Sequence, residues 1–220
     1  LGSLGELGVA RQVIIAGDRS EQIEAALAGS GAEVVMQHEQ LGTGHAALQA
    51  KAALADFTGL VVICFGDGPF LTAATVRRLC QAVQDGAKVA VLGFRPGDNI
   101  TYGRIAADGE GRVSKMVEYK DASPEERAIE LCYAGPMVAH SRDIWPLLES
   151  IDNNNAQGEY YLPDVATNAI RDGATVRVIE GSADEVLGVN SRAELAQAEA
   201  SWQARRRKAA MDGGATLIAP

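Results

Sequence analysis

Two residues more than a hundred positions apart have the chemistry to hold a hard cation. Asp67 ends the apolar run VVICFGDGPFLT (61–72), and Asn190 lies in LGVNSR (187–192). A carboxylate and a side-chain amide oxygen are hard donors that suit Mg2+, with phosphate oxygens filling the remaining octahedral positions. Both residues follow apolar strand patterns, and in open α/β sheets ligands lie just beyond the carboxyl ends of such strands. A plainer role is open to Asp67: with Gly68 and Pro69 it can make a turn and cap a helix starting near Thr72.

The run Gln40-Leu41-Gly42-Thr43-Gly44-His45-Ala46 offers a different chemistry. Its glycines let a ligand approach the backbone, Thr43 adds a hydroxyl, and a helix starting there turns free N–H groups and a partial positive charge outward. A nucleotide base or phosphate fits such a place, although a Gly-Thr-Gly turn can equally do no more than cap the helix. Tyr102-Gly103-Arg104 and Glu118-Tyr119-Lys120-Asp121 are polar segments flanking strands, for which surface turns and salt bridges are the alternative. His38 and His45 have no partner arrangement visible in sequence, so neither is read as a base.

The totals narrow the classes. A chain of 220 residues fits one large domain or two small ones, and by size it buries roughly 70% of its unfolded surface. A net charge of −9 argues against a general nucleic-acid or anionic-membrane surface, yet leaves room for a local cationic pocket or a metal that receives phosphates. Cys64, Cys80 and Cys132 are too few and too scattered for a disulfide framework or zinc motif, which fits a reducing cytoplasm. No apolar run reaches the length of a transmembrane helix and no leader is visible. The chain begins with Leu1, so an N-terminal portion is expected to be missing.

Strands are predicted at 9–17, 31–37, 61–65 and 88–94. Helices are predicted after Asp18-Arg19-Ser20-Glu21, over 42–55, and over 72–85. That alternation implies right-handed crossovers and a mostly parallel, doubly wound α/β sheet. From Pro96 the pattern changes to an antiparallel hairpin joined at Asp108-Gly109. A short helix follows with Ser123 as N-cap and Pro124 at its first position. Pro136 marks the strand at 131–139 as an edge or a bulge. A helix from Ser141, the polar loop NNNAQGEYYLPD (153–164), a helix over 164–171 and a strand at 175–180 come next. Ser191 and Glu194 then form a capping box for a helix whose Leu195, Ala198 and Trp202 share a face. Its Arg205-Arg206-Arg207-Lys208 end is read as complementing the helix dipole, not as a nucleic-acid patch.

Taken together, QHEQLGTGHA (37–46), FGD (65–67), YGRI (102–105), VEYKDA (117–122), NNNAQGEYYLPD (153–164) and GVNSR (188–192) resemble, in that order, the bacterial N-acetylglucosamine-1-phosphate uridyltransferases. The resemblance covers essentially the whole chain. It implies a Rossmann-like nucleotidyltransferase fold and the N-terminal half of a bifunctional enzyme whose other half is a left-handed β-helix acetyltransferase. It divides the chain into a nucleotidyltransferase domain (1–190), a linker helix (191–210) and the start of a connection to that β-helix (211–220). By resemblance Gln37, Gly42 and Thr43 touch the uracil and its ribose, and Phe65 and Gly66 border the nucleotide. Asp67 and Asn190 hold Mg2+, and Gly103, Glu118 and the position of Tyr133 face the N-acetylglucosamine. The implied reaction is attack of the sugar-1-phosphate oxygen on the α-phosphorus of UTP. It yields UDP-N-acetylglucosamine, a cell-wall and lipopolysaccharide precursor, and pyrophosphate, with no covalent enzyme intermediate. Positioning and charge neutralisation carry such a transfer.

The chain departs from the family pattern in several places. The first strand, with a loop of the form LAAGxGTRM that cradles the triphosphate, is expected upstream of Leu1; IIAGDRS (14–20) lacks the Gly-Thr-Arg continuation and matches the family's next strand. Its loss would unpair about half a dozen backbone hydrogen bonds at roughly 0.5–1.5 kcal/mol each, against a domain stability of roughly 5–15 kcal/mol. The chain alone is therefore expected to be poorly stable and weak or inactive. Tyr133 replaces an asparagine that contacts the sugar, and Phe65 and Gly68 replace Tyr and Val. The acetyltransferase role and the homotrimer made by the β-helix belong to a parent protein. The competing readings are a related nucleotidyltransferase for another sugar phosphate and a non-catalytic nucleotide-sugar-binding domain.

Overall fold

The computed structural model describes residues 5–17, 20–96 and 101–218. The elements run β1 (Val13–Ala16), α1 (Ser20–Leu27), β2 (Glu33–Met36), α2 (Thr43–Ala53), β3 (Leu60–Ile63), α3 (Ala73–Gln84), β4 (Val89–Phe94), β5 (Arg104–Ala107) and β6 (Val113–Val117). There follow α4 (Pro124–Arg127), β7 (Cys132–His140), α5 (Ser141–Glu149), α6 (Asp164–Arg171), β8 (Val176–Glu180), a 3-10 turn (Ala183–Glu185) and α7 (Arg192–Asp212). Asp18 and Arg19, half of the predicted start of α1, lie outside the described residues.

A six-stranded sheet carries the order β6-β5-β7-β4-β8, with β3 pairing β7 beside β5. The parallel rhythm survives in direction. β3 and β4 both run antiparallel to β7, so they point the same way across α3, and β4 pairs β8 in parallel. β6 and β7 run against the other four strands and make the sheet mixed, because the hairpin after β5 reverses the chain and the connection through α4 carries it past β5 to enter β7 in the direction of β6. β7 is interior, not an edge. Pro136, which has no N–H to give, sits where the β4–β7 register slips between Val91↔Met137 and Gly93↔Tyr133, so the bulge alternative holds. β1 and β2 form a parallel two-stranded sheet of their own, with α2 packed on both and on α5.

Alternation along the strands builds the core. Val89, Val91, Met137 and Ala139 pack one face against Ile144, Leu147 and Leu148 of α5 and Leu162, Val165 and Ala169 around α6. Ala90, Leu92 and Val138 turn to the other face, against Leu79 of α3. Strands buried on both faces read as continuous apolar runs, and every residue of β4 is buried.

One sequence expectation is corrected at the C-terminal end. α7 continues to Asp212 and has no basic residue in its last turn, so Arg205–Lys208 do not complement the end of the dipole. Arg205, Arg206 and Lys208 have local partners instead. Arg205 lies over the Phe70 ring at 4.6 Å and donates to the Asp184 carbonyl, and Lys208 pairs with Asp212 at 2.6 Å.

Candidate functional site

The candidate site is drawn from three groups of residues, one after β2, one just beyond β3, and one where β5 begins and β6 ends against β7. In the first, Gln37 follows β2 and is buried, with its side-chain nitrogen 3.3 Å from the Gly42 carbonyl and 2.9 Å from Nδ1 of His45. Gly42 is the N-cap of α2 with φ +112°, and a Cβ there would lie 2.7 Å from the Tyr160 carbonyl oxygen. Only glycine meets both demands. Thr43 Oγ1 accepts from the Leu162 N–H at 3.1 Å and keeps its own hydrogen to donate.

The second group carries Asp67. Phe65, Gly66 and Asp67 are exposed just beyond β3. Thr72, not Asp67, caps α3, accepting from the Thr75 N–H at 3.2 Å, so the plainer reading of Asp67 as a helix cap is removed. The Asp67 carbonyl accepts from the Val189 N–H at 3.0 Å. That bond brings the segment bearing Asn190 alongside. Asp67 Oδ2 and Asn190 Nδ2 lie 3.8 and 3.6 Å from the point where a Gly188 Cβ would be. Asn190 is held by its own N–H, which donates to Glu194 Oε2 at 2.6 Å, while Ser191 Oγ accepts from the Glu194 N–H. The expected capping box is thus shifted by one residue, since the glutamate takes the N–H of Asn190 and not that of Ser191.

Gly103, Glu118 and Tyr133 form the third group. A Cβ on Gly103 would lie 3.5 Å from Glu118 Oε1, and the Gly103 carbonyl accepts from the Tyr133 N–H at 2.8 Å. Burial pushes the Glu118 carboxyl up. Tyr133 is buried and its hydroxyl donates its hydrogen to the Gly135 carbonyl, so it has no hydrogen left to donate to a ligand. Burial, Glu118 and Cys64 all raise its phenol. Gly135, at φ +106° on the β7 bulge, leaves the space that the Phe65 ring occupies: a Cβ would come within 2.6 Å of that ring. Phe65 thereby joins the second group to the third.

The loop 153–164 joins the third group to the first. Tyr160 donates to the Leu41 carbonyl and accepts from Gly44, both at 2.8 Å. Ala156 donates to Asp121 at 3.0 Å, and Lys120 bonds Gln157. This bridging role was missed from sequence, although the loop's run of asparagines and tyrosines was its signal. Gly188 and Glu185 were missed too, and Glu194 was read only as a helix cap. Glu185 accepts from the Thr72 and Thr75 hydroxyls at 2.6 and 2.8 Å, tying the turn before the Asn190 segment to the start of α3.

Among the described residues no three His, Cys, Asp or Glu side chains gather as a metal site. Asp67 Oδ2 and the side-chain amide of Asn190, with Nδ2 nearest, border the space that a side chain at 188 would occupy; turned over, that amide would set an oxygen beside the carboxylate as a two-point hard-donor set. Such a set suits a divalent cation that takes its other ligands from phosphates and water. No helix of the described residues is long and apolar enough to cross a membrane.

The family model described as the MobA-like NTP transferase domain matches residues 1–163. The chain belongs to that family. Nucleotidyltransferases of this family generally use a divalent metal. The chain is 52% identical over its full length to the bifunctional protein GlmU of Rhizorhabdus wittichii and 47% identical to that of Zymomonas mobilis, covering 49% and 50% of those proteins. It spans about half the length of the curated relatives it matches. Solved structures of the same fold include CMP:2-keto-3-deoxy-manno-octonic acid synthetase complexed with CTP, at TM-score 0.64 and 17% identity over 90% of this chain and 83% of that one. A UDP-glucose pyrophosphorylase complexed with UDP-glucose follows at TM-score 0.61 and 20% identity, over 81% and 75%.

Proposed function

We propose that this chain is the uridyltransferase portion of a bifunctional enzyme that makes UDP-N-acetylglucosamine and pyrophosphate from UTP and N-acetylglucosamine-1-phosphate, with Mg2+, in the cytoplasm. The observation that supports the reading is the pairing of the Asp67 loop with the Asn190 segment through the Val189 N–H, which brings a carboxylate and a side-chain amide into one neighbourhood beyond the carboxyl end of β3. Relatives of about half identity over the whole chain, named as bifunctional GlmU, support it.

In this reading Gln37, Gly42 and Thr43 receive the uracil and ribose, and Phe65 and Gly66 border the nucleotide. Gly103 and Glu118 receive the sugar, with the Tyr133 backbone bonded to Gly103. Asp67 and Asn190 hold the metal, which supplies neutralisation of phosphate charge. The residues need do no covalent chemistry. They hold the sugar phosphate oxygen in line with the α-phosphorus and exclude misaligned poses, which is where the rate of such a transfer comes from. The homotrimer of the parent protein, through its other half, is part of the same proposal.

Calorimetry with UTP and UDP-N-acetylglucosamine, with and without Mg2+, tests it, together with pyrophosphate release on adding N-acetylglucosamine-1-phosphate. Asp67→Ala is expected to abolish the Mg2+ dependence of UTP binding. Equal binding of UTP by the native chain with and without Mg2+ would sink the metal assignment, and a preference for another sugar nucleotide would sink the substrate.

A further inference from the structure

His45 has no direct place in the proposed chemistry, yet its ring is built into the first group of residues. Nδ1 lies 2.9 Å from Gln37 Nε2 and Nε2 lies 3.2 Å from Gln49 Nε2. A neutral imidazole has one N–H and one acceptor nitrogen, so it cannot accept from both amides. The backbone decides between them.

Gln37 is over-determined. Its amide faces two groups, the Gly42 carbonyl at 3.3 Å and His45 Nδ1. The carbonyl can only accept. Both are satisfied at once when the NH2 end of Gln37 points at the turn and His45 Nδ1 is unprotonated. Gln49 is one helical turn along α2, and it gives up only a bond to the His45 carbonyl at 3.1 Å if its amide turns over. The proton therefore belongs on Nε2, facing Gln49, which can present its oxygen in return. Amide orientation and tautomer follow here from the bonding partners, as they must.

We infer that His45 is a positioning residue that, with the Gly42 carbonyl, locks the Gln37 amide so that its oxygen is the atom turned away from the turn and towards a ligand. Among the described residues no group donates to that oxygen. An amide fixed in this sense accepts an N–H from a nucleobase. Uracil presents one at N3, whereas cytosine presents an acceptor at N3, so the lock selects uracil over cytosine. A site whose buried polar group is left unpaired rejects the wrong ligand strongly. The inference rests on the assignment of Gln37 to the base.

Two measurements separate this inference from that assignment. Nitrogen chemical shifts of the His45 ring in the native chain are expected to show Nδ1 unprotonated and Nε2 protonated. Calorimetry is expected to show UTP bound in preference to CTP. That preference should fall about tenfold in His45→Phe and stay within about threefold of native in His45→Asn, whose amide oxygen can stand near Nδ1 as an acceptor. A protonated Nδ1 overturns the inference whatever the nucleotide data show. A His45→Phe chain that weakens UTP and CTP equally overturns it as well, since that is the signature of a merely structural ring. If Nδ1 is unprotonated but the native chain does not distinguish UTP from CTP, the assignment of Gln37 to the base fails and the inference falls with it.

Discussion

Val189 donates its backbone N–H to the carbonyl of Asp67 at 3.0 Å, and this one bond sets the distance between two side chains that lie far apart in sequence. It leaves between them a space bordered by Asp67 Oδ2, Asn190 Nδ2 and Gly188. An alanine at 188 would meet both atoms at ordinary contact distance. A valine would fill the space. Gly188→Val is expected to remove Mg2+-dependent nucleotide binding while the thermal midpoint changes by the equivalent of about 1 kcal/mol or less, as for most half-exposed substitutions. A Gly188→Val chain that keeps its Mg2+ dependence in calorimetry would show that the cation does not sit there.

Glu185 touches none of the proposed ligands, yet it joins the same two segments from below through Thr72 and Thr75. Its carboxyl is held below the usual range; partial burial works against this, and the Thr72 and Thr75 hydroxyls are the leading causes that lower it. Glu185→Ala removes the acceptor for two hydroxyls and is expected to cost about 2 kcal/mol in chemical denaturation. Glu185→Gln, whose one oxygen can keep both hydroxyl bonds but loses the acceptor for the Ser182 N–H, should cost about half that. UTP binding in Mg2+ should weaken with both in the same order. Loss of stability in Glu185→Ala with unchanged UTP binding would confine the residue to the fold.

Much of this fold was legible in sequence because its signals are local. Ser123 does cap α4 in a capping box with Pro124 at its start and Thr72 does begin α3, whereas the apolar run at 61–65 implied the buried middle of a parallel sheet and β3 is only partly buried and pairs β7 antiparallel. What local signals could not tell was where β7 would lie. A strand that returns from a hairpin enters the sheet wherever its partners leave room, and Pro136 alone allowed either an edge or a bulge. The same limit applies to the site. Asp67 and Asn190 could be proposed as a pair from chemistry, but the bond that joins them is made by the backbone of Val189, whose side chain carries no sign of it. Tyr133 could be recognised as unusual at its position. That its hydroxyl turns inward to Gly135 is a consequence of the bulge, which only the strand register reveals.

Asp164 at the start of α6 stands among Asp152, Glu118 and Asp121, and burial together with those carboxylates pushes its carboxyl up to about 6. A carboxyl raised on folding binds its proton more tightly in the native state, so its ionisation destabilises the fold as pH rises from the ordinary value of 3.8 towards about 6, and the loss is complete above that. Asp164→Asn is therefore expected to stabilise the chain at pH 8, by about 1 kcal/mol after allowance for solvent screening and for the lost helix-dipole interaction. The gain should fade as pH falls below about 6. Melts at pH 8 and pH 4 check the sign, and a variant stabilised equally at both would mean that the neighbouring carboxylates are not the cause.

Gly42 is where the first group of residues is most tightly built, and where backbone and ligand demands can be told apart. A side chain at φ +112° is strained by roughly 1–2 kcal/mol, and here the Cβ would also meet the Tyr160 backbone at 2.7 and 2.9 Å, atoms that cannot swing aside. Overpacking of this kind adds roughly 1–3 kcal/mol. Gly42→Ala is expected to lose about 3 kcal/mol in chemical denaturation. Gly66→Ala, where a Cβ meets nothing within 4 Å, should unfold like the native chain. The Gly42 substitution must push loop 153–164 away from the turn that Gln37 grips. UTP should therefore bind at least tenfold more weakly, while pyrophosphate, which has no base to present to Gln37, keeps its affinity in Mg2+. Equal weakening of UTP and pyrophosphate would place the damage in the fold as a whole, and the turn would then have no separate role in holding the base.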